Sequence, residues 1–588
     1  MAGDQGLLFC PPLNGKEPVM LVSNTAPERF RLQPLLSAQD ATTAQFIQCW
    51  QQAAVSRYNR YPDADTIPPA YVLLVLQTNM PKAVVSQMFV KARHLAQQSD
   101  AVVLVCHDQH ASCQLAAAYC NNSLVQLCPP QVHHAKLLAN AAAVITANSW
   151  LGFEALLWRK AVYSFLPSFY LDGTHYCGSP SEAEPTAADD SVLGKLVWQI
   201  FSDAKVDSAL TDGRLTKISH DAQLEPGSGF ITSMQAIQWL SWQRQQRQRF
   251  APELYAIGFN RIWRPVVKQF IQGSKLHFVK RAKQVPTNSH AVSWGFKPLA
   301  GLAESVSLTR LEDGFLRSVG LGAQFVKPLS WVADSCGLYF DATAPSDLEN
   351  LLAQHPFSQP LLEQAAELIS QLQSSGISKY NTGIANWQRP VTAKKVILVP
   401  GQVETDASIA RGAPGIKQNM ALLQAVRQAN PDAWLIYKPH PDVLAGARAR
   451  GENEQQALDY CDQQVTDCSI VAMFDQIDEV HVLTSLAGFE ALIRGVKVTC
   501  YGMPFYAGWG LTTDKYQCQR RGRQLTLQQL VAATLLLYPL YICRHTGYYT
   551  NALATLADLQ QWRQQKPTFS SKLWQWLRWG LNNFVKPK

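Results

Sequence analysis

The sequence predicts an α/β protein built on parallel sheets, and three observations carry that prediction. Over the C-terminal half, short apolar runs at 276–279, 291–294, 396–399, 434–437, 480–483 and 496–501 alternate with longer helix-compatible stretches, the pattern of βαβ units with buried strands. A segment also recurs: Asn148-Ser149-Trp150-Leu151-Gly152-Phe153-Glu154-Ala155-Leu156-Leu157 matches Thr484-Ser485-Leu486-Ala487-Gly488-Phe489-Glu490-Ala491-Leu492-Ile493, and Phe169-Tyr170 matches Phe505-Tyr506, both at an offset of 336, so one unit is present twice. Finally, 588 residues at 47% apolar and 16% charged are too many for one core and too apolar for disorder, which implies three or four domains.

Taken in order, residues 1–60 form an N-terminal segment. Residues 61–205 form the first copy of the repeat, a nucleotide-binding-like Rossmann module. In it, 71–77 resembles 395–402 as a buried strand ending in glutamine, and 102–108 occupies the place of 435–441 and keeps a histidine, His107. Pro81 then stands where the second copy has Asp406, so the first copy is expected to be degenerate and non-catalytic. The Gly-, Ser-, Pro- and Ala-rich stretch 173–190 reads as a loop or insertion, and 206–250 as a helical linker rich in Gln and Arg. Residues 251–390 form an acceptor-side Rossmann-like domain and 391–560 a nucleotide-sugar-binding one, whose final helices after Leu525 pack back across the boundary. Two such sheets facing a cleft make a GT-B-like pair.

Several function classes are excluded by composition. Charge at +8 is modest for this length and implies no nucleic acid. The thirteen cysteines are scattered with no C-x-x-C pair, which fits reduced thiols in the cytoplasm. His107/His110 and His133-His134 lack a ligand set for zinc and read as surface or core histidines. Neither a secretory signal nor a run of ~18 apolar residues is present. From Trp562 to Lys588 there are six Lys/Arg and no acid, interleaved with Trp574, Trp576, Trp579 and Phe584, so 561–588 reads as a basic aromatic tail lying on a membrane surface.

The chemistry-bearing motifs stand where strands stop, the end at which parallel α/β domains bind ligands. In Lys438-Pro439-His440-Pro441, two prolines stiffen the backbone so that Lys438 and His440 can hold a nucleotide phosphate and His440 can protonate it. Thr484-Ser485 opens a helix, where two hydroxyls and unpaired backbone N–H groups meet at the positive end and suit a phosphate. Glu490, one turn in, can take ribose hydroxyls; the bland reading is an N-cap and a solvated glutamate. Glu312-Asp313-Gly314 puts two carboxylates at a turn, one of which can act as base towards an acceptor hydroxyl. Gln402 and Asp406 follow the 396–399 strand, and the alternative reading of Asp406 is a cap on the next segment. Lys297 and Arg317 are cations suited to a sugar carboxylate, and Tyr506 and Trp509 to ring stacking or to packing. No Asp-x-Asp pair stands among these motifs, so a divalent metal is not implied and no cofactor is expected.

These motifs, with Trp294-Gly295, Lys297-Pro298, Ser378-Lys379-Tyr380-Asn381 and Pro504-Phe505-Tyr506-Ala507-Gly508-Trp509-Gly510, resemble the KpsC-type capsule polysaccharide β-Kdo transferases of Gram-negative bacteria over roughly residues 251–550. The acidic pair, His-Pro and paired hydroxyls are also similar to those of bacterial GT-B sialyltransferases, which likewise use a CMP-activated 2-keto acid sugar. The resemblance implies CMP-β-Kdo as donor, a lipid-linked Kdo primer as acceptor and retention of configuration, with Asp406 as nucleophile, Glu312 or Asp313 as base and His440 assisting departure. Lys438, Pro441, Thr484, Ser485 and Glu490 would contact the nucleotide, and Gln402, Arg317, Lys297 and Tyr506 the substrate. Partners would be the inner-membrane surface, a second Kdo transferase and the capsule export machinery. The family carries two complete modules, whereas this chain has one.

Overall fold

A computed structural model describes residues 40–177 and 241–564, with Leu193 and three short strands at 8–10, 19–21 and 216–217. Excepted within these ranges are 57–66, 78–79, 108–122, 130–131, 169, 171–172, 320–325, 378–386, 447 and 545–546. The Ser378–Asn381 motif, His110, Phe169, 178–190 and 565–588, with most of the basic aromatic tail, therefore lie outside the described residues. The chain is mixed α/β with several parallel-rich sheets, in two compact units, Met1–Pro252 and Glu253–Lys588.

In the first unit, strands β1 (Leu8–Cys10), β2 (Val19–Leu21) and β9 (Thr216–Lys217) form a small antiparallel sheet. The main sheet is parallel, in the order β5-β4-β3-β6-β7-β8, from β3 (Tyr71–Leu76), β4 (Val102–His107), β5 (Val125–Leu127), β6 (Ala143–Thr146), β7 (Ala161–Ser164) and β8 (His175–Tyr176). Every residue of β3 is buried, as a central strand covered on both faces requires. Strand β8 falls in the stretch read as a loop; two residues with no apolar periodicity leave no strand signal in the sequence. His133 and His134 are buried, and burial pushes His134 down to about 4.

The second unit holds two sheets. One has the order β11-β10-β12-β13-β14-β21-β22, from β10 (Glu253–Ile257), β11 (Lys275–Val279), β12 (His290–Trp294), β13 (Ser307–Asp313), β14 (Ser330–Asp334), β21 (Pro539–Ile542) and β22 (Tyr549–Thr550). Strands β10 to β13 are parallel, and the last three run antiparallel. The other, all parallel, has the order β17-β16-β15-β18-β19-β20, from β15 (Val396–Pro400), β16 (Trp434–Lys438), β17 (Gln463–Gln464), β18 (Glu479–Val482), β19 (Lys497–Cys500) and β20 (Thr513–Asp514). Position for position this order repeats that of β3 to β8.

The end of the chain differs from the expectation of helices alone. After the helix Leu527–Val531 and a π turn, the chain enters the first sheet as β21 and β22, and only then forms the helix Ala552–Gln564. Pro539 opens β21, where its missing N–H is tolerated, and Tyr538 donates its hydroxyl to Asp334 at 2.7 Å. The two sheets share one core: the Phe315 ring lies 6.2 Å from Phe489 and 5.2 Å from Phe505, with Tyr339 5.6 Å from Phe505. Such aromatic pairs add about 0.5–1.5 kcal/mol each beyond area burial, which ties the halves on either side of the cleft.

Candidate active site

Between the sheets of the second unit lies a cleft of about 1160 Å³, and its walls bring together Lys297, Glu312, Asp313, Arg317, Gln402, Asp406, Lys438, His440, Pro441, Thr484, Ser485 and Glu490. They stand at the carboxyl ends of β13 and β16 or just beyond those of β12, β15 and β18, because side chains leaving a parallel sheet at one edge converge there.

On the side of the second sheet, Ser485 N-caps the helix Leu486–Ile493, its Oγ accepting from Ala487 N at 3.3 Å. That leaves its hydroxyl proton to donate into the cleft, at the positive end of the helix. Thr484 is held by Gln402, whose Oε1 accepts from Thr484 N at 2.9 Å and whose Nε2 donates to Thr484 Oγ1 at 3.0 Å. Gln402 is itself 8% exposed. Against its expected role at the substrate, its carboxamide is spent as a clamp that sets Thr484.

His440 caps the short helix Pro441–Leu444, Nδ1 accepting from Asp442 N at 3.1 Å. With Nδ1 an acceptor, the neutral ring carries its proton on Nε2, the tautomer suited to donate to a phosphate oxygen. Lys438 ends β16 half-buried, and desolvation lowers its pKa against the opposing pull of Cys468 and Asp467. A phosphate brought beside it would favour the charged form further.

Asp406 is the N-cap of the helix Ala407–Gly412, Oδ1 accepting from Ser408 N at 2.9 Å, and it is also an exposed part of the cleft wall. Capping and facing the cleft are thus compatible, since a carboxylate has two oxygens. The same helix is anchored to the opposite half: Arg411 pairs with Asp341 at 2.7 Å and lies 3.9 Å from the Phe296 ring centroid.

Across the cleft, the acidic pair is divided in its duties. Asp313 Oδ2 accepts from Arg317 Nε at 2.7 Å, and Arg317, 2% exposed, also donates to Ser318 Oγ at 2.9 Å. Arg317 is therefore a buried counter-ion to Asp313 as well as part of the cleft wall. Glu312 Oε1 accepts from Asp313 N at 3.0 Å. Lys297 is exposed on the cleft rim. Tyr506, expected at the substrate, is instead fully buried: it donates its hydroxyl to Ser485 O and packs where Gly488 has no Cβ. Trp509 is likewise buried.

Sequence reasoning missed Asn260, Trp263, Trp331, Phe340, Arg448 and Asp467, all in the cleft wall. Asp467 follows β17, so the strand-end rule would have found it had Gln463–Gln464 been recognisable as a strand. Among the described residues no group of three His, Cys, Asp or Glu is placed to hold a metal ion, and no helix is long and apolar enough to cross a membrane.

Parallel-rich α/β sheets around a polar cleft define the class, and the comparisons give the family. Residues 297–541 match the family described as capsule polysaccharide biosynthesis protein. The capsule polysaccharide modification protein LipA of Neisseria meningitidis serogroup B is 34% identical over 563 residues, 89% of this chain and 78% of that protein. The lipopolysaccharide-processing protein LpsZ of Rhizobium meliloti is 42% identical over 265 residues, 44% of this chain and 60% of that protein. Among solved structures, the Thermosulfurimonas dismutans KpsC β-Kdo 2,7 transferase is 39% identical, covering 53% of this chain and 100% of its own, with a TM-score of 0.46. This chain belongs to the capsule polysaccharide biosynthesis family, with LipA among its relatives.

Proposed function

We propose that the second unit is a GT-B glycosyltransferase that moves Kdo from CMP-β-Kdo, with retention, onto a lipid-linked Kdo acceptor, and that the β3–β8 sheet of the first unit is a degenerate, non-catalytic copy of its β15–β20 half. The protein would work in the cytoplasm, peripheral to the inner membrane, beside a partner Kdo transferase and the export machinery. One observation carries the reading: carboxylates from one sheet and a carboxylate, cations and hydroxyls from the other meet in a single cleft.

In the first step the Asp406 carboxylate forms a bond to the anomeric C2 as the bond to the CMP oxygen breaks. The Lys438 cation, the Ser485 hydroxyl and the Nε2 proton of His440 take up the charge on the departing phosphate. The anomeric carbon is tertiary and carries a carboxylate, so the transition state is oxocarbenium-like and an adjacent anion stabilises it. In the second step an acceptor hydroxyl attacks C2, the bond to Asp406 breaks, and a carboxylate across the cleft takes the proton. Asp313 is engaged by Arg317, which favours Glu312 as that base. Two inversions restore the β configuration.

The test is intact-mass spectrometry after incubation with CMP-Kdo, alongside CMP release with a Kdo-terminated acceptor. Asp406→Asn keeps a helix cap, so it should fold normally while turnover falls by roughly a thousandfold or more, the scale of losing a nucleophile. A Kdo-mass adduct in the wild type that vanishes in the variant is expected. Undiminished turnover in Asp406→Asn would remove this mechanism, and a folded wild type that releases no CMP would point instead to a Kdo-binding module.

A further inference from the structure

Residues 254–303 contain eight Lys/Arg and no Asp or Glu, so these 50 residues carry a charge equal to the +8 of the whole chain. One of the eight, Lys275, sits at the amino end of β11 and pairs with Glu253 at 2.9 Å. At the other end of the sheet, β10 is flanked by β11 and β12 in parallel register, Ile257 opposite Val279 and Ser293. The turns leaving these three strands are therefore neighbours, and they bear Arg261 and Arg264, then Lys280, Arg281 and Lys283, then Lys297. All but Arg264 are exposed, and among the described residues none of the six joins an ion pair. Between Arg261 and Trp263 stands Ile262, 72% exposed.

A concentration of unpaired like charge repels itself and sets up a positive field that draws anionic partners to it. We propose that this face is a docking surface for an anionic lipid bilayer, which seats the acceptor half of the cleft against the membrane. The aliphatic tip chooses between anionic partners. A soluble polyanion gives an exposed isoleucine nothing, whereas the boundary between headgroups and acyl chains buries it. The aromatic neighbours Phe259 and Trp263 line the cleft instead of standing outward to stack on bases. The same strand ends form the cleft wall, so a lipid-borne acceptor would reach the site without leaving the bilayer. That last consequence rests on the acceptor proposed above; the docking itself does not.

Sedimentation of the full chain with phosphatidylglycerol-containing vesicles, and with pure phosphatidylcholine vesicles, tests it without any sugar donor, so its failure and that of the transferase reading are separate. Each cation near an anionic surface contributes about fivefold in partitioning. The combined variant Lys280→Ser, Arg281→Ser, Lys283→Ser, outside the cleft wall, should bind anionic vesicles about 100-fold more weakly. Ile262→Asp should weaken them too, and turnover on a soluble acceptor should stay unchanged in the triple variant. A tail variant, Lys572→Ser with Arg578→Ser, should retain the dependence on the three loop cations. Anionic-vesicle binding by the triple variant equal to wild type would overturn the proposal. So would equal wild-type binding to neutral vesicles, or a deficit seen with a soluble acidic polysaccharide and not with vesicles.

Discussion

The sheet β3 to β8 and the sheet β15 to β20 are two versions of one design, and what they share differs from what they have each lost or kept. Both have the same strand order, and both cap a helix with serine after the fourth strand, Ser149 and Ser485. In each, a buried tyrosine donates its hydroxyl to that serine's carbonyl, Tyr170 to Ser149 and Tyr506 to Ser485. In each, a glutamine from the first strand end meets the backbone N–H before the serine, Gln77 that of Asn148 at 3.4 Å and Gln402 that of Thr484 at 2.9 Å. The chemistry is where they part. Pro81 N-caps the helix at the position of Asp406. Glu154 is fully buried and accepts from Ser56 Oγ at 2.6 Å, whereas Glu490 lines the cleft. The β3–β4 register, Val75 opposite Cys106, against Pro400 opposite Lys438, places Cys106 at the lysine position. His107 then falls at Pro439, one short of His440, which corrects the sequence alignment. The strand order, serine cap and tyrosine latch thus persist in a module where proline stands at the N-cap and the glutamate is buried, so these shared features belong to folding whether or not a ligand binds.

The largest effect that would sharpen the contrast is acid sensitivity in the first copy. His134 is buried neutral, with a folded pKa of about 4 set by desolvation, below the ~6.5 of an unfolded histidine. Between those values the unfolded chain binds the extra proton, so the contribution is whole above ~6.5 and is lost as pH falls towards 4, up to about 3 kcal/mol. Hydrogen exchange in peptides covering β3 to β7 should quicken over that window, and His134→Phe should lessen the dependence, the neighbouring buried His133 carrying the remainder. An unchanged pH profile in His134→Phe would assign the sensitivity elsewhere.

Next come the paired glycines. A Cβ on Gly152 or Gly488 would overlap the hydroxyl of Tyr170 or Tyr506, an overpacking that costs about 1–3 kcal/mol. Gly152→Ala and Gly488→Ala should therefore both lower the melting temperature by similar amounts. Only Gly488→Ala should weaken CMP binding, because it displaces the helix end carrying Ser485. Equal loss of CMP binding in both would mean that the first copy also binds nucleotide.

How far the sequence alone discloses all this depends on the kind of signal. Central strands such as Val396–Pro400 are apolar throughout and declare themselves, and the repeat at Gly152 and Gly488 declares the second copy. Edge strands of two residues, such as Gln463–Gln464 and His175–Tyr176, have no periodicity to read, and the cleft residue Asp467 is hidden with the first of them. Strand β21 is hidden differently, because 530–542 is one nearly unbroken apolar run in which helix and strand look alike. For the site, residue types single out Glu312, Asp406, His440 and Ser485, which the structure places in the cleft wall, yet cannot say which groups are consumed by the protein itself. Gln402, Arg317 and Tyr506 are polar or aromatic residues inside motifs. Their partners, Thr484, Asp313 and Ser485, become visible only when the chain is folded.

The smallest expected effect isolates a glutamate present in both copies, lining the cleft in one and fully buried in the other. Glu490→Gln keeps shape and removes charge at the cleft, so it should raise the KM for donor about tenfold, the scale of one charge-assisted hydrogen bond, with little change in melting temperature. Glu154→Gln should do the reverse. Its carboxylate touches Ser56 in the interior of the first unit, so the substitution should lower stability by about 1 kcal/mol and leave the KM alone. Steady-state kinetics and thermal melts on the two variants read both quantities. If Glu154→Gln instead moved the KM with stability intact, the sealed glutamate would be serving the reaction, and the division between a catalytic and a structural copy would fail at the residue where it is most easily tested.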